Sequence, residues 1–411
     1  MHDRTKNRTT EKRALFHRSQ SKSAGSPTRT RVCAEEHPRK RVKEPSFHLR
    51  KFLQGCKIVK ILKPDCTFRY AVLSKERSGV MKRFRILCAL LMILVLSVAA
   101  GASQLSIAMI TDVGGVNDQS FNQSAWEGHQ KAEKELGVKV AYIESRQDAD
   151  YGPNLETLLD AGTDLIWGIG FKMADAVLEA ATNNVDQKYA IIDFAWEKTP
   201  DNLIGVVFKA EEASFLVGYI AAKMTKTGKV GFIGGMSFPV IWGFEFGFRA
   251  GVAQAGKNVE ILSQYAESFT DAAKGKSIAN SMYQQGADIV FHAAGGVGDG
   301  LIEAAKEQGK WAIGVDRDQN YLAPDNVLTS AMKRVDNAIF NIAKEMTEGK
   351  WQGGHTVSYG LAEGGVDIAP TTSKHVPAEL LSEVDAVKTR IIAGEIVVPF
   401  SKETFASFEV K

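Results

Sequence analysis

Short apolar runs alternate with longer amphipathic stretches from Leu105 onward. "LSIAMITD" is followed by a helical pattern from about Phe121 to Leu136, "VKVAYIES" by one near 154–161, "DLIWGIG" by one over 172–183, and "YAIIDF" closes the set. The rhythm then repeats through "KVGFIGG", a helix over 241–255, "VEILSQYA", a helix over 271–285, "DIVFHAAGG", a helix over 300–309 and "WAIGVD". Strands that alternate with helices of this length predict parallel sheets of β-α-β units. Two sets of about a hundred residues each predict two lobes.

The segments between and after the sets predict how the lobes connect. "LIGVVF" and a helix over 211–225 leave the first set, and "VLTSAMKRVD" with the helix after it comes back from the second. "HTVSYG", "VDIAP" and "IVVPFS" lie too far along for one simple lobe. The expected architecture is α/β, two doubly wound parallel-sheet lobes joined by a multi-crossing hinge. Lobe 1 is expected over about 103–220 and lobe 2 over about 226–328, each completed by C-terminal segments. Ligands of open α/β sheets lie beyond the carboxyl ends of the strands, so the expected site is the cleft between facing strand ends.

Composition separates the first hundred residues from the rest. Residues 1–80 hold 21 Lys and Arg against 7 Asp and Glu, whereas 103–411 hold 27 basic and 41 acidic residues, so the chain's overall +3 sums two unlike parts. "MKRFRILCALLMILVLSVAAGASQ" has a basic start, an apolar core and an A-x-A site, the order of a signal peptide over 81–102 with the mature chain beginning at Ser103. The apolar run is shorter than the ~20 residues a membrane span needs. Met81 is the expected start, with 1–80 a disordered basic extension or one wrongly included in the gene. A basic run alone is weak evidence of a nucleic-acid partner, and none is expected. All four cysteines (Cys33, Cys56, Cys66, Cys88) precede Ser103, which excludes disulfides and thiolate metal sites from the mature chain. Cys88 sits inside the apolar core, where it cannot serve as a lipoprotein's anchoring cysteine. The expected location is therefore periplasmic or extracellular.

Polar residues and glycines gather at the predicted strand ends: Asp112, Gly114, Gly115, Asn117, Asp118 and Ser120 after the first strand, Asp193 after the fourth, Gly295, Gly296 and Gly298 after "DIVFHAA", and Asp316 after "WAIGV". Ser120-x-x-Gln123 and Ser124-x-x-Glu127 have capping-box spacing, so the loop runs into a helix N-terminus. Trp126 lies in the first two turns of that helix. Helical spacing alone puts it in the core, but its nearness to Asn117 and Asp118 suits a flat ring that stacks on a ligand while the polar groups read its edge.

Rival chemistries fail on spacing. "GGVGDG" has Leu301 where a dinucleotide fingerprint needs its third glycine, and "GKS" at 275–277 has Thr270 where a phosphate loop needs its first. "GMSFP" places Pro239 where a nucleophile elbow needs glycine. His129, His292, His355 and His375 are scattered and carry no metal-site spacing. No catalytic constellation, metal or cofactor is expected.

Taken together, "MITDVGGVNDQSFNQSAWEG", "GFIGG", "GFEFGFRAG", "HAAGGVGDG", "GVDRDQ" and "VLTSAMKRVD" resemble the basic membrane protein family of ABC-importer substrate-binding proteins, the group that contains the purine nucleoside receptor A lipoproteins. The resemblance covers about 105–400. It implies a type I periplasmic binding protein fold that holds a nucleoside in the interlobe cleft, as a monomer, and serves a permease and an ATPase. It further implies that Asn117 and Asp118 hydrogen-bond the base, Trp126 stacks on it and Asp193 reads another edge. Asp316 and Lys333 would reach the sugar, and Gly295 and Gly296 would let the backbone approach. A second stacking aromatic is expected from the other lobe, with Phe244 and Phe291 as candidates. The family's lipobox cysteine is missing. Alternatives of other classes are a binding protein for sugars or other small polar ligands and an enzyme acting on nucleosides.

Overall fold

The computed structural model describes residues 104–411. The basic extension expected over 1–80, the signal peptide expected over 81–102 and the cleavage site before Ser103 lie outside them.

Two six-stranded sheets organise these residues. The first holds β1 (Ser106–Thr111), β2 (Lys139–Glu144), β3 (Leu165–Ile169), β4 (Lys188–Ile192), β5 (Leu203–Phe208) and β11 (His355–Tyr359) in the order β11-β5-β4-β3-β1-β2. The second holds β6 (Lys229–Gly234), β7 (Glu260–Tyr265), β8 (Ile289–Ala293), β9 (Trp311–Asp316), β10 (Val327–Lys333) and β12 (Val366–Ile368) in the order β12-β10-β9-β8-β6-β7. The two orders match strand for strand. All pairings are parallel except β10 with β12. Central strands such as "LIWGI" and "IVFHA" are buried along their whole length, as parallel strands covered on both faces must be.

Helices α1 (Phe121–Leu136), α2 (Tyr151–Asp160), α3 (Ala174–Asn183), α4 (Ala210–Met224), α5 (Pro239–Gln254), α6 (Ala272–Gln284), α7 (Val297–Gln308), α8 (Val335–Thr347), α9 (Ala378–Ile392) and α10 (Lys402–Ala406) cover the sheet faces. The boundary expected near 220 moves to Lys209. Helix α4 buries Phe215, Leu216 and Ile220 with Phe248, Phe232 and Phe291, so it belongs wholly to lobe 2. Helix α8 crosses back and buries Val335, Ile339 and Ile342 in the lobe 1 core with Ala125 and Ala132 of α1. The expected returning segments separate in the same way: β11 extends the first sheet, whereas β12, α9, Ile396 and Val398 complete lobe 2.

The chain therefore crosses between lobes three times, after Phe208, after Lys333 and between Tyr359 and Val366. The crossings are tied to one another: Lys209 N–H donates to the Tyr359 carbonyl at 2.9 Å, and Arg334 N–H to that of Gly365 at 2.8 Å. Leu361 N–H donates to Glu212 Oε2 at 2.7 Å.

Close approach of α4 and α5 depends on Gly251, where a Cβ would stand 1.9 Å from the Phe215 carbonyl oxygen. Gly251→Ala is expected to lower unfolding stability by about 1–3 kcal/mol through overpacking. Gly152→Ala, at a helical position with open space around it, should raise stability by about 0.4–1 kcal/mol. Equal effects of the two substitutions in denaturant titrations would contradict this helix packing.

Candidate functional site

The strand order of both lobes reverses beside the first strand of each set, between β1 and β3 and between β6 and β8. Loops leaving the carboxyl ends on either side of such a reversal diverge and leave a crevice. Here the two crevices face each other across one cavity lined from both lobes. Lobe 1 supplies Asp112 after β1, Phe121 and Asn122 at the start of α1, Phe171 after β3 and Asp193 after β4. Lobe 2 supplies Phe244 from α5, Phe269, Gly295 after β8, Asp316 at the end of β9 and Lys333 at the end of β10. Asp193 (φ 71°) and Asp316 (φ 63°) occupy equivalent strand ends, and both have left-handed backbone. Residues other than glycine seldom adopt that conformation, and it clusters at binding sites.

The loop after β1 is ordered by Asp118. Its Oδ1 accepts from Ser120 N and Gln123 N at 3.0 Å, and its Oδ2 accepts from Asn122 N at 2.8 Å and Asn122 Nδ2 at 3.0 Å. Four donors fill the acceptor sites of one carboxylate. Asp118 therefore caps α1 and fixes Phe121 and Asn122. The capping box expected from Ser120 does not form, because the Ser120 hydroxyl donates instead to Asp316 Oδ2 across the cleft at 2.5 Å. Asn122 Nδ2 also donates to Asp112 Oδ1 at 2.8 Å, which orients the amide so that its Oδ1 is buried without a partner. An acceptor orphaned beside a cavity marks where a ligand donor belongs.

Lys333 is the cavity's central cation. It is ion-paired with Asp193 at 2.5 Å, both side chains are almost fully buried, and its ammonium lies 4.7 Å from the Phe121 ring centroid and 5.9 Å from that of Phe244. The other lining lysine, Lys172, is paired with Asp148 at 2.7 Å. Aspartates 112, 118, 193 and 316 thus outnumber the two lysines. Burial pushes the Asp316 carboxyl up to about 6, opposed by Lys333 and the Ser120 hydroxyl. Burial likewise raises Asp112 and Asp118 above the ordinary carboxylate range, with hydrogen bonds from Asn122 pulling the other way. At one edge of the cavity Phe171 of lobe 1 stacks on Phe238 of lobe 2, with centroids 4.2 Å apart and planes at 13°.

Of the residues expected at the site, Asp118, Asp193, Phe244, Gly295, Asp316 and Lys333 line this cavity, and four others do not. Trp126 packs against the lobe 1 core and meets Tyr142 edge-on at 4.8 Å. Five residues along a helix from Phe121 is a rotation of roughly 140°, which turns its indole away. Asn117 is exposed and lines a separate depression with Glu144 and Arg146. Gly296 lies behind Gly295 at the start of α7 and does not line the cavity. Phe291 is sealed in the lobe 2 core among Phe232, Phe244 and Phe248. Phe121, Asn122 and Phe171, absent from the expected set, line the cavity as well. The signal for the first two was present, since they open the helix that the loop feeds.

The sequence matches the family described as Bmp, ABC transporter substrate-binding protein PnrA-like, over residues 105–402. It is 44% identical over 308 residues to basic membrane protein A of Borreliella burgdorferi, covering 74% of this chain and 90% of that protein. It is 41% identical over 318 residues to the ABC transporter nucleoside-binding protein BmpA of Lactococcus lactis, covering 72% and 90%. A solute-binding protein of an ABC transporter system from Aeropyrum pernix superposes with a TM-score of 0.68 at 31% identity, over 74% of this chain and 96% of that one.

Because Asp316 holds its proton up to about pH 6 when folded, against 3.8 ordinarily, the folded state binds more protons than the unfolded state between those values. Its stability contribution is therefore present at low pH and lost as pH rises through that window. Asp316→Asn should leave ligand-free stability near pH 4 unchanged and raise it near pH 7.5 by about 1–3 kcal/mol, a tenfold change in proton affinity being worth about 1.36 kcal/mol. A variant no more stable than the parent at pH 7.5 in thermal unfolding would show that the carboxylate is not strained by burial.

Proposed function

The chain belongs to the PnrA-like family of ABC-transporter substrate-binding proteins, and from that premise we propose that the ligand it delivers is a nucleoside, a purine nucleoside in particular. The family makes it a non-enzymatic component of an ABC importer that works outside the cytoplasm with permease and ATPase partners. No helix among the described residues is long and apolar enough to cross a membrane. Export by the signal segment 81–102, and action as a monomer, complete this reading.

One observation carries the nucleoside: Phe121 and Phe244 reach one ammonium from opposite lobes, beside the unpartnered Asn122 Oδ1 and the Asp112 carboxylate. Aromatic rings contributed by both lobes suit a flat base, and the Asn122 and Asp112 acceptors suit base N–H groups. Asp193, Asp316 and Lys333 then suit vicinal sugar hydroxyls. Four lining carboxylates oppose a phosphate, so nucleosides fit and nucleotides do not. The relative from Lactococcus lactis is named as a nucleoside-binding protein, which supports the nucleoside reading.

Ligand that binds only the folded state raises the melting temperature according to RT ln(1 + [L]/Kd). A thermal-shift panel of inosine, guanosine, adenosine, cytidine, uridine, ribose and nucleoside monophosphates should give shifts for purine nucleosides and none for ribose or monophosphates. Stabilisation by ribose alone would replace the nucleoside by a sugar, and consumption of the nucleoside would make the protein an enzyme.

The aromatic assignments are tested separately. Phe121→Ala should cost about 1–3 kcal/mol of nucleoside affinity, the scale of base stacking on aromatics. Trp126→Ala should leave affinity unchanged and lower ligand-free stability by about 2–3 kcal/mol, less than a fully buried ring would. Calorimetry and unfolding on both variants check this, and the reverse pattern would restore Trp126 to the site.

A further inference from the structure

Outside the cavity a second set of contacts joins the lobes. The Arg317 guanidinium of lobe 2 forks onto Glu127 of lobe 1, Nη2 donating to Oε1 at 2.5 Å and Nε to Oε2 at 3.2 Å. Arg317 Nη1 also donates to the Tyr321 hydroxyl at 2.9 Å, and that hydroxyl donates to Gln119 Oε1 of lobe 1 at 2.6 Å. Gln319 Nε2 donates to the Gln119 carbonyl at 3.1 Å, while its Oε1 accepts from Val315 N and faces His292 Nε2 at 3.0 Å. Gln319 is fully buried, with its side-chain oxygen held by lobe 2 groups and its Nε2 reaching lobe 1. None of the five residues lines the cavity.

We infer that Gln119 and Glu127 of lobe 1 with Arg317, Gln319 and Tyr321 of lobe 2 form a clasp that sets the lifetime of the closed form without touching the ligand. The inference rests on the reading that a small ligand is held between the lobes, and does not require that ligand to be a nucleoside.

Three features favour a clasp over incidental surface contacts. Both of its segments continue directly into the cavity: Gln119 and Glu127 flank Phe121 and Asn122, and Arg317 follows Asp316. Ligand contacts that seat these cavity residues therefore bring the clasp into register. Gln119 has left-handed backbone at φ 57°, a conformation costly for a residue with a side chain. In the closed form its carbonyl and its side chain are both held from the opposite lobe, and parting of the lobes removes both restraints. The closed form is thereby tied to contacts that opening breaks together. Lastly, Arg317 is mostly shielded and engages both oxygens of Glu127, a fork with stricter geometry than a single-contact ion pair. The five residues act as positioning groups, so they bear on how long any ligand stays and leave the choice among ligands to the cavity.

The test uses Tyr321→Phe and Glu127→Gln, neither of which empties the core. Three quantities are read: the dissociation rate of inosine and of guanosine by stopped flow, the ratio of their affinities, and the ligand-free distribution of lobe separations from donor and acceptor dyes on the two lobes. Tyr321→Phe removes the hydroxyl's one bond to the opposite lobe, along with its bond from Arg317 within lobe 2, and should raise both dissociation rates by about 2–10-fold, the scale of one interlobe hydrogen bond. Glu127→Gln should raise them by about 2–5-fold, with the difference from the parent shrinking at high salt. The affinity ratio should stay the same, and the ligand-free lobes should move apart in both variants. Unchanged dissociation rates and lobe separations in both variants would overturn the clasp. A changed inosine-to-guanosine ratio would overturn it as well, by placing these residues against the ligand. If neither nucleoside binds the parent protein, the nucleoside reading fails, and the lobe-separation measurement alone decides the clasp.

Discussion

Both oxygens of Asp118 are taken up by the first turn of helix α1, and most of the site follows from that. A helix N-terminus leaves backbone donors without partners. Asp118 satisfies them from two residues upstream of the usual cap, which releases the Ser120 hydroxyl to cross to Asp316 in the other lobe. The same bonds hold Phe121 toward the cavity and turn Asn122 so that its amide bridges two carboxylates and leaves its oxygen free. One carboxylate thus connects the shape of the loop, the chemistry of the cavity and the contact between lobes.

Buried charge is the opposing constraint. Four lining aspartates cost desolvation energy, visible in the raised proton affinity of Asp112, Asp118 and Asp316. Lys333, paired with Asp193 and bordered by aromatic rings, supplies one positive charge against them. A ligand rich in N–H and O–H donors would satisfy the remaining acceptors, whereas a phosphate would add to the imbalance.

Much of this was legible in the chain. The strand-helix rhythm pointed to both sheets and the crossings. Polar residues at strand ends pointed to Asp118, Asp193 and Asp316, because a parallel strand delivers whatever follows it to one edge, and the family resemblance added Lys333. What failed was angular and tertiary. Trp126 is near the loop in sequence but lies around the helix from Phe121, and capping-box spacing at Ser120 could not anticipate a better partner in a lobe nearly two hundred residues away. Helix α4 looked like the end of the first set because it follows β5 directly, yet its apolar residues match the face of α5. The clasp residues carry no spacing signal, since their pairing exists only when two separately folded lobes meet.

The most direct measurement is a crystal structure of the protein with guanosine. The base is expected between Phe121 and Phe244 with its edge on Asp112 and Asn122, the sugar at Asp193, Asp316 and Lys333, and the Ser120–Asp316 contact formed across closed lobes. Guanosine seated against Trp126 or in the depression beside Asn117, with the interlobe cavity empty, would contradict the nucleoside site placed between the lobes.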